Sequence, residues 1–375
     1  MKILFTGGGS GGHFYPIIAV AEELNILIKE HKLIDVHLYY MAPDSYNEGL
    51  LYENNIKFVR SPAGKMRRYF SLRNFFDIFK TAWGTLRALW TLFNIYPDVI
   101  FSKGGYPSFP PLFAARILRI PVVIHESDTV PGRANIWAGK FAKRIAVSYP
   151  EAAKFFKKEK VAYTGNPIRK EILETLPTGA QSFLELEDNV PVITVLGGSQ
   201  GSQLINEMLV EALPKLIDSY QIIHQTGKMH LQEMKNIASV VLEKSDFKNR
   251  YKPFDYLNNL SLRMIAGTSA LIVSRAGSTI FEIAQWNIPS ILIPITDSNG
   301  DHQRKNAYAY ARTGAAIVIE ERNLNGNILR AEIDRIVKST EISDTMKKAA
   351  GEFAQPQAAE KIAKEILSIA LGHEK

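Results

Sequence analysis

The chain has 375 residues, 46% apolar and 22% charged, with no cysteine and a net charge of +7 from 45 Lys and Arg against 38 Asp and Glu. Length and composition predict two folded domains of ordinary size without a low-complexity tract. The lack of cysteine excludes disulfides, thiolate metal sites and cysteine nucleophiles together.

No apolar run approaches the roughly 18 residues that argue for a membrane span. Met1-Lys2 leads straight into ILF rather than an apolar leader, so a cytoplasmic protein is expected. The positive balance suits an anionic partner such as phosphate, nucleic acid or a lipid headgroup, and charge does not choose among them.

Short β-branched and aromatic runs alternate with longer helical patterns, the signature of parallel sheets built from strand–helix–strand units. The first half supplies ILFTGG, VHLYYM, KFVRS, DVIFSKGG, PVVIHES, RIAVS and VAYTG. The second half restarts with VITVLGGSQGS, then QIIHQTG, ALIVSRAG, SILIPI and AAIVIEE. The predicted fold class is α/β, with two Rossmann-like domains whose parallel sheets face a central cleft. Residues 1–165 form the first domain and 166–355 the second, joined near Gly165-Asn166-Pro167, where the chain leaves a strand through a turn. The stretch from Pro177 to Pro191 reads as a loop or short crossing segment. The last helix, over 356–371, could pack on either domain and would complete the first.

Each half opens with a strand, a glycine turn and a helix, and amides at such a helix start form an anion site. Gly7-Gly8-Gly9-Ser10-Gly11-Gly12 contains GxGxxG. A dinucleotide fingerprint also wants an acidic residue about twenty positions on, at the end of the second strand. That strand ends in Ala42-Pro43 here, with Asp44 a poor candidate. A tight turn without a ligand is the plain alternative for either turn alone. Two turns at matching places predict a phosphate cradle on at least one wall of the cleft.

In SRAGSTIFEIAQWNIPSILIP, residues 274–294, Glu282 stands in the first turn of a helix. Thr279 and Glu282 could form a capping box, and a carboxylate there could equally accept both hydroxyls of a ribose. The polar loop DSNGDHQRKNA, residues 297–307, offers Asp301, His302, Gln303 and Asn306 to sugar hydroxyls, or is a solvated loop. No Asp-x-Asp pair or clustered His set suggests a metal.

TGGGSGGHFYP, FSKGGYPSFPP, HESDTVPGRAN, TGNPIR, GGSQGS, RAGSTIFE and DHQRKNA occur in that order. In this order and spacing, over nearly its whole length, the chain resembles the MurG family of GT-B glycosyltransferases. HESD stands where some members have HEQN, and SGG where some have TGG. The resemblance implies transfer of GlcNAc from UDP-GlcNAc to the MurNAc 4-hydroxyl of lipid I, undecaprenyl-diphosphate-MurNAc-pentapeptide, giving lipid II in peptidoglycan synthesis.

It implies that the second half binds the donor. Ser199, Gln200 and Gly201, with Arg169, would face the diphosphate and Glu282 the ribose. The backbone at Phe254 and Asp255 would read the uracil, and His302 and Gln303 would hold the GlcNAc hydroxyls. The first half would take lipid I through Gly9, Lys103, Gly104, Gly105, Tyr106 and Asp128. Ser10, Gly11, Gly12 and Asn135 lie on the same wall and also reach the donor. His13 and Glu126 would be catalytic, His13 as the base or as a phosphate binder. Neither a metal nor another cofactor is implied.

From Lys65 the chain reads KMRRYFSLRNFFDIFKTAWGTLRALWTLFN. Leu72, Phe75, Phe76, Phe79, Trp83, Leu86, Leu89, Trp90 and Phe93 share one helical stripe, while Arg73, Asp77, Lys80, Gly84 and Arg87 take another face. This predicts a helix packed on the sheet, above all in its C-terminal part. Phe70, Ile78 and Leu92 lie off the stripe, so the apolar arc is wider than one buried face needs. With Lys65, Arg67 and Arg68 ahead of it, peripheral contact with the anionic cytoplasmic face of the cell membrane is expected. The cluster Lys154–Lys160 with Phe155-Phe156 would add to it. Rival readings are a diacylglycerol glycosyltransferase and a nicotinamide oxidoreductase. No nucleic-acid module is recognisable, and no nucleic-acid partner is expected.

Overall fold

The computed structural model describes residues 1–64, 72–198, 201–296 and 299–373. The chain forms two compact units, one of residues 1–170 with the segment from Gln355 onward, the other of Glu171–Ala354.

The first unit holds a seven-stranded sheet, all parallel, in the order β3-β2-β1-β4-β5-β6-β7. Its strands are β1 (Lys2–Thr6), β2 (His37–Ala42), β3 (Ile56–Arg60), β4 (Val99–Ser102), β5 (Val122–Glu126), β6 (Arg144–Val147) and β7 (Val161–Tyr163). The central strands are apolar at successive positions because both faces are covered, as parallel sheets require. Ile3 and Phe5 point into a core with Phe14, Ile17 and Leu24 of the helix Gly11–Glu30. Leu4 points the other way, toward Ile100, Ile124 and Leu112. The C-terminal helix Ala358–His373 inserts Ile362, Ile366 and Ile369 into the first of these cores, against the helix Gly11–Glu30.

The second unit repeats the plan with six parallel strands in the order β10-β9-β8-β11-β12-β13. These are β8 (Val192–Leu196), β9 (Gln221–Gln225), β10 (Tyr251–Phe254), β11 (Ser269–Ser274), β12 (Ser290–Leu292) and β13 (Ala316–Val318). Ile291 and Leu292, adjacent on β12, enter separate cores on opposite faces. The segment 177–191 contains a short helix, Ala180–Leu184.

In each sheet the strand order reverses beside the first strand, between β1 and β4 and between β8 and β11. Ligands of open α/β sheets bind at such switch points, beyond the carboxyl ends of the strands. Both glycine turns lie at these places.

The aromatic helix corrects an expectation. Leu72–Ile95 is helical, but Phe75, Phe76, Phe79, Trp83, Leu86, Trp90 and Phe93 are all at least 60% exposed. The buried face carries Ala88 and Leu92, with Gly84 against the carbonyl of Pro62. Small residues let that face approach closely, so the bulky stripe is the side left uncovered, in the C-terminal half of the helix as well. Lys65, Arg67, Arg68 and Phe70 lie outside the described residues. In the second basic cluster Phe155 is exposed under Lys154, whereas Phe156 packs against the core beside Gly139.

Candidate functional site

The first unit gathers its predicted residues at the ends of β1, β4 and β5. After β1 the chain turns through Gly7, Gly8 and Gly9, and Tyr40 donates its hydroxyl to the Gly7 carbonyl at 2.8 Å from a buried position on β2. Ser10 is the N-cap of the helix Gly11–Glu30, and its carbonyl accepts from the amides of His13 at 3.1 Å and Phe14 at 3.2 Å.

His13 Nδ1 lies 3.2 Å from the carbonyl of Lys103. A carbonyl cannot donate, so Nδ1 carries the proton and the neutral ring keeps its lone pair on Nε2. Gly105, at φ +82°, passes close by: a Cβ there would lie 3.5 Å from His13 Nε2 and 3.0 Å from the Gly8 carbonyl. Glycine thus serves both the turn and the space beside the imidazole. Tyr106 closes over Gly9, where a Cβ would meet its ring at 3.0 Å.

Glu126 ends β5 and is buried. Its carboxylate accepts from the amides of Asp128 and Gly132, each at 3.0 Å, and from Asn135 Nδ2 at 2.9 Å. The loop 127–132 therefore hangs on one side chain. Burial raises the Glu126 pKa, and the Asp128 charge adds to the rise; the bonds from Asn135 and the Asp128 amide and the charge of Lys103 oppose it. His125 is also buried, with Nε2 at 3.0 Å from the Gly165 carbonyl and 3.1 Å from Ser148 Oγ. Burial, then the charge of Lys103, holds its pKa well below the usual imidazole value, so it stays neutral.

Arg169 belongs to the first unit, where its guanidinium stacks over the ring of Tyr15 at 4.4 Å. Tyr15 follows His13 by two positions on the same helix.

In the second unit, Ser199 and Gln200 lie outside the described residues, as do positions 297 and 298. Gly201, at φ +76°, turns against the carbonyl of Thr226, which occupies the place a Cβ would take. Ser202 then caps the helix Gln203–Leu216. The Phe254 carbonyl accepts from both Thr226 N at 2.9 Å and Thr226 Oγ at 3.1 Å, and Asp255 accepts from the Tyr256 amide at 2.7 Å. The helix Thr279–Gln285 has Ser278, not Thr279, as its N-cap, so Thr279 and Glu282 do not take the two ends of a capping box. Gln303 Oε1 accepts from the Ile295 amide at 3.1 Å, and His302 opens the helix His302–Ala311.

Two residues missed in the sequence hold this wall together. Arg275 donates to Ser202 Oγ at 2.6 Å and to the Ile293 carbonyl at 2.9 Å, and pairs with Glu321 at 2.7 Å. Glu321 in turn accepts from the Thr296 amide at 2.8 Å. Gln225 donates to the Gly198 carbonyl at 3.0 Å and accepts from the Leu257 amide at 3.3 Å. Between them they tie the loops after β8, β10, β11 and β12. Among the described residues no three His, Cys, Asp or Glu side chains gather as a metal ligand set.

Residues 3–147 match the N-terminal domain of glycosyltransferase family 28, and 192–366 match its C-terminal domain. A relative from Bacillus thuringiensis is 38% identical over 94% of this chain and 96% of its own length, and one from Treponema denticola is 36% identical over 84% and 83%. Both are named UDP-N-acetylglucosamine–N-acetylmuramyl-(pentapeptide) pyrophosphoryl-undecaprenol N-acetylglucosamine transferases. Among solved structures, MurG of Acinetobacter baumannii superposes with a TM-score of 0.72 at 23% identity, covering 98% of this chain and 99% of that one. A UDP-GlcNAc 2-epimerase from Neisseria meningitidis, bound to UDP-GlcNAc, gives 0.68 at 13%, covering 98% and 100%. At such identities the two structures are alike in fold.

Proposed function

Because the chain belongs to glycosyltransferase family 28, we propose that it transfers N-acetylglucosamine from UDP-GlcNAc to the MurNAc 4-hydroxyl of lipid I, forming lipid II. The reaction is one in-line displacement with inversion. The acceptor oxygen bonds to the anomeric carbon, the bond to the diphosphate breaks, and UDP leaves with the electron pair. His13 Nε2 takes the hydroxyl proton. What supports this role is the bond of its Nδ1 to the Lys103 carbonyl, which keeps the lone pair on the other nitrogen. That bond carries the chemical reading; the relatives' shared name supplies the substrates.

The first unit takes the acceptor at Gly9, Gly104, Gly105, Tyr106 and Asp128, with Ser10, Gly11, Gly12 and Asn135 reaching the donor. Glu126 acts through the loop it anchors. The second unit takes UDP-GlcNAc: Ser199, Gln200 and Gly201 meet the diphosphate, Glu282 the ribose, the backbone at 254–255 the uracil, and His302 and Gln303 the sugar. Arg169, of the first unit, is assigned to the diphosphate. The charge that develops on departing UDP would be met by the amides of that turn and by the Arg169 guanidinium.

A lipid-linked acceptor puts the enzyme at the cytoplasmic face of the cell membrane. Among the described residues no helix is long and apolar enough to cross a bilayer. Peripheral contact is supported by the uncovered stripe from Phe75 to Phe93, continued by exposed Ile117 on the neighbouring helix Phe109–Leu118.

The deciding experiment is UDP release from UDP-GlcNAc by the purified chain with a lipid I analogue, with diacylglycerol, and with no acceptor. Release that depends on the lipid I analogue is expected. Release with diacylglycerol alone would keep the donor assignment and overturn the acceptor.

A further inference from the structure

The helix His302–Ala311 begins without the usual fastening. The first amides of a helix have no partner inside it, and an extended N-cap residue ordinarily accepts from them through its side chain. Here the N-cap is Asp301, left-handed at φ +58°, and its side chain makes no capping bond. Gly300 before it is left-handed too, at φ +70°. The Asp301 carboxylate instead lies 3.6 Å from the Arg304 guanidinium on the same helix. The two residues that follow this uncapped start are His302 and Gln303.

Glu320, two residues beyond β13, supplies the missing fastening. The Tyr308 hydroxyl donates to its Oε1 at 2.8 Å, and Arg304 Nε donates to the same oxygen at 3.1 Å. Arg304 and Tyr308 are four positions apart, so both bonds fall on one face of the helix. Arg322 pairs with the other carboxylate oxygen at 2.9 Å, and the Glu320 side chain is only 15% exposed. The mount is rigid on both sides. The Ile319 amide donates to the Leu292 carbonyl on β12 at 3.0 Å, and the Asn323 amide to the Glu320 carbonyl at 2.8 Å. The next residue, Glu321, accepts from the Thr296 amide at 2.8 Å. Two adjacent carboxylates thus hold Thr296 and the helix start from one point on the sheet.

Resting on the assignment of His302 and Gln303 to the donor sugar, we propose that Glu320 is a positioning residue for the transfer: it fastens the start of the helix His302–Ala311 to the second sheet and so sets where these two side chains meet GlcNAc. A side chain displaced by about an ångström loses most of a hydrogen bond to a sugar hydroxyl. The uracil, ribose and diphosphate are assigned to other segments of the unit, so the loss falls on the sugar alone.

The test is calorimetric binding of UDP-GlcNAc and of UDP to the full chain and its variants. Glu320→Ala removes all three bonds, and UDP-GlcNAc affinity should fall about tenfold while UDP affinity stays within about twofold. Unchanged affinity for both overturns the proposal. An equal fall in both also overturns it, because it would mark general damage to the unit. His302→Ala with Gln303→Ala is the control. If that pair shifts the ratio of the two affinities and Glu320→Ala does not, the proposal falls and the sugar assignment stands. If the pair leaves the ratio at its wild-type value, the sugar assignment falls and the proposal with it. Should Glu320→Ala not fold, Tyr308→Phe removes only an exposed hydroxyl donor and carries the same readings at about threefold.

Discussion

His13 can accept a proton only if Nε2 is bare when the hydroxyl arrives, and the Lys103 carbonyl facing Nδ1 sets the neutral tautomer that leaves it so. His13→Ala should lower kcat by about 10²- to 10⁴-fold, the usual weight of a general base. UDP-GlcNAc affinity measured by calorimetry should stay within about twofold. Equal loss of both would make His13 a binder alone. Glu126 lies next along the same wall, and its carboxylate meets two amides of its own loop and the Asn135 side chain rather than standing open. Arg275 shows why single residues elude a sequence reading. Its partners Ser202 and Ile293 lie 73 and 18 positions away, so no local spacing announces them.

At the scale of elements, the helix Leu72–Ile95 separates two things that a periodic pattern confounds. The 3.6-residue period identifies an apolar face, but the covering of that face depends on what packs nearby. Gly84 and Ala88 let the opposite side come close to the segment at Pro62, and the aromatic stripe is left outside. Replacing Trp83 and Trp90 by Ser together should cut binding to anionic vesicles by tenfold or more, by about the loss of two buried indoles. Because both rings are exposed, thermal stability without vesicles should barely change, each exposed substitution costing within about 0.5 kcal/mol. A collapse in stability would show that the stripe is a core face after all.

For the whole molecule, among the described residues each unit buries one neutral histidine, His125 in the first and His224 in the second. His224 Nε2 lies 3.0 Å from Asn206 Oδ1 and Nδ1 lies 2.8 Å from the Tyr251 hydroxyl, and burial lowers its pKa from 6.5 to about 3. The unfolded chain binds a proton there before the folded one does. The stabilisation is therefore full above pH 6.5 and is lost as pH falls toward 3. Urea unfolding of the second unit should lose up to about 1.4 kcal/mol per pH unit from this group over that window. His224→Gln should flatten the slope, and an equal slope in the variant would refute the assignment.

The alternation of strands and helices, the two glycine turns and their places at strand ends were legible in the residues, because short-range spacing writes them. So was His13 as the residue beside the first turn, whereas Glu126 came from the family resemblance. Two parallel sheets follow from that alternation, since parallel neighbours need a crossover connection, usually a helix. Tertiary structure decided the rest. It put the C-terminal helix on the first unit, exposed an aromatic stripe that amphipathicity alone would have buried, and brought Arg275 and Gln225 to loops far along the chain. It also buried the side chain of Lys103, whose carbonyl meets a histidine ninety positions away. Each of these depends on contacts between distant segments, and local propensity carries no record of which surfaces meet.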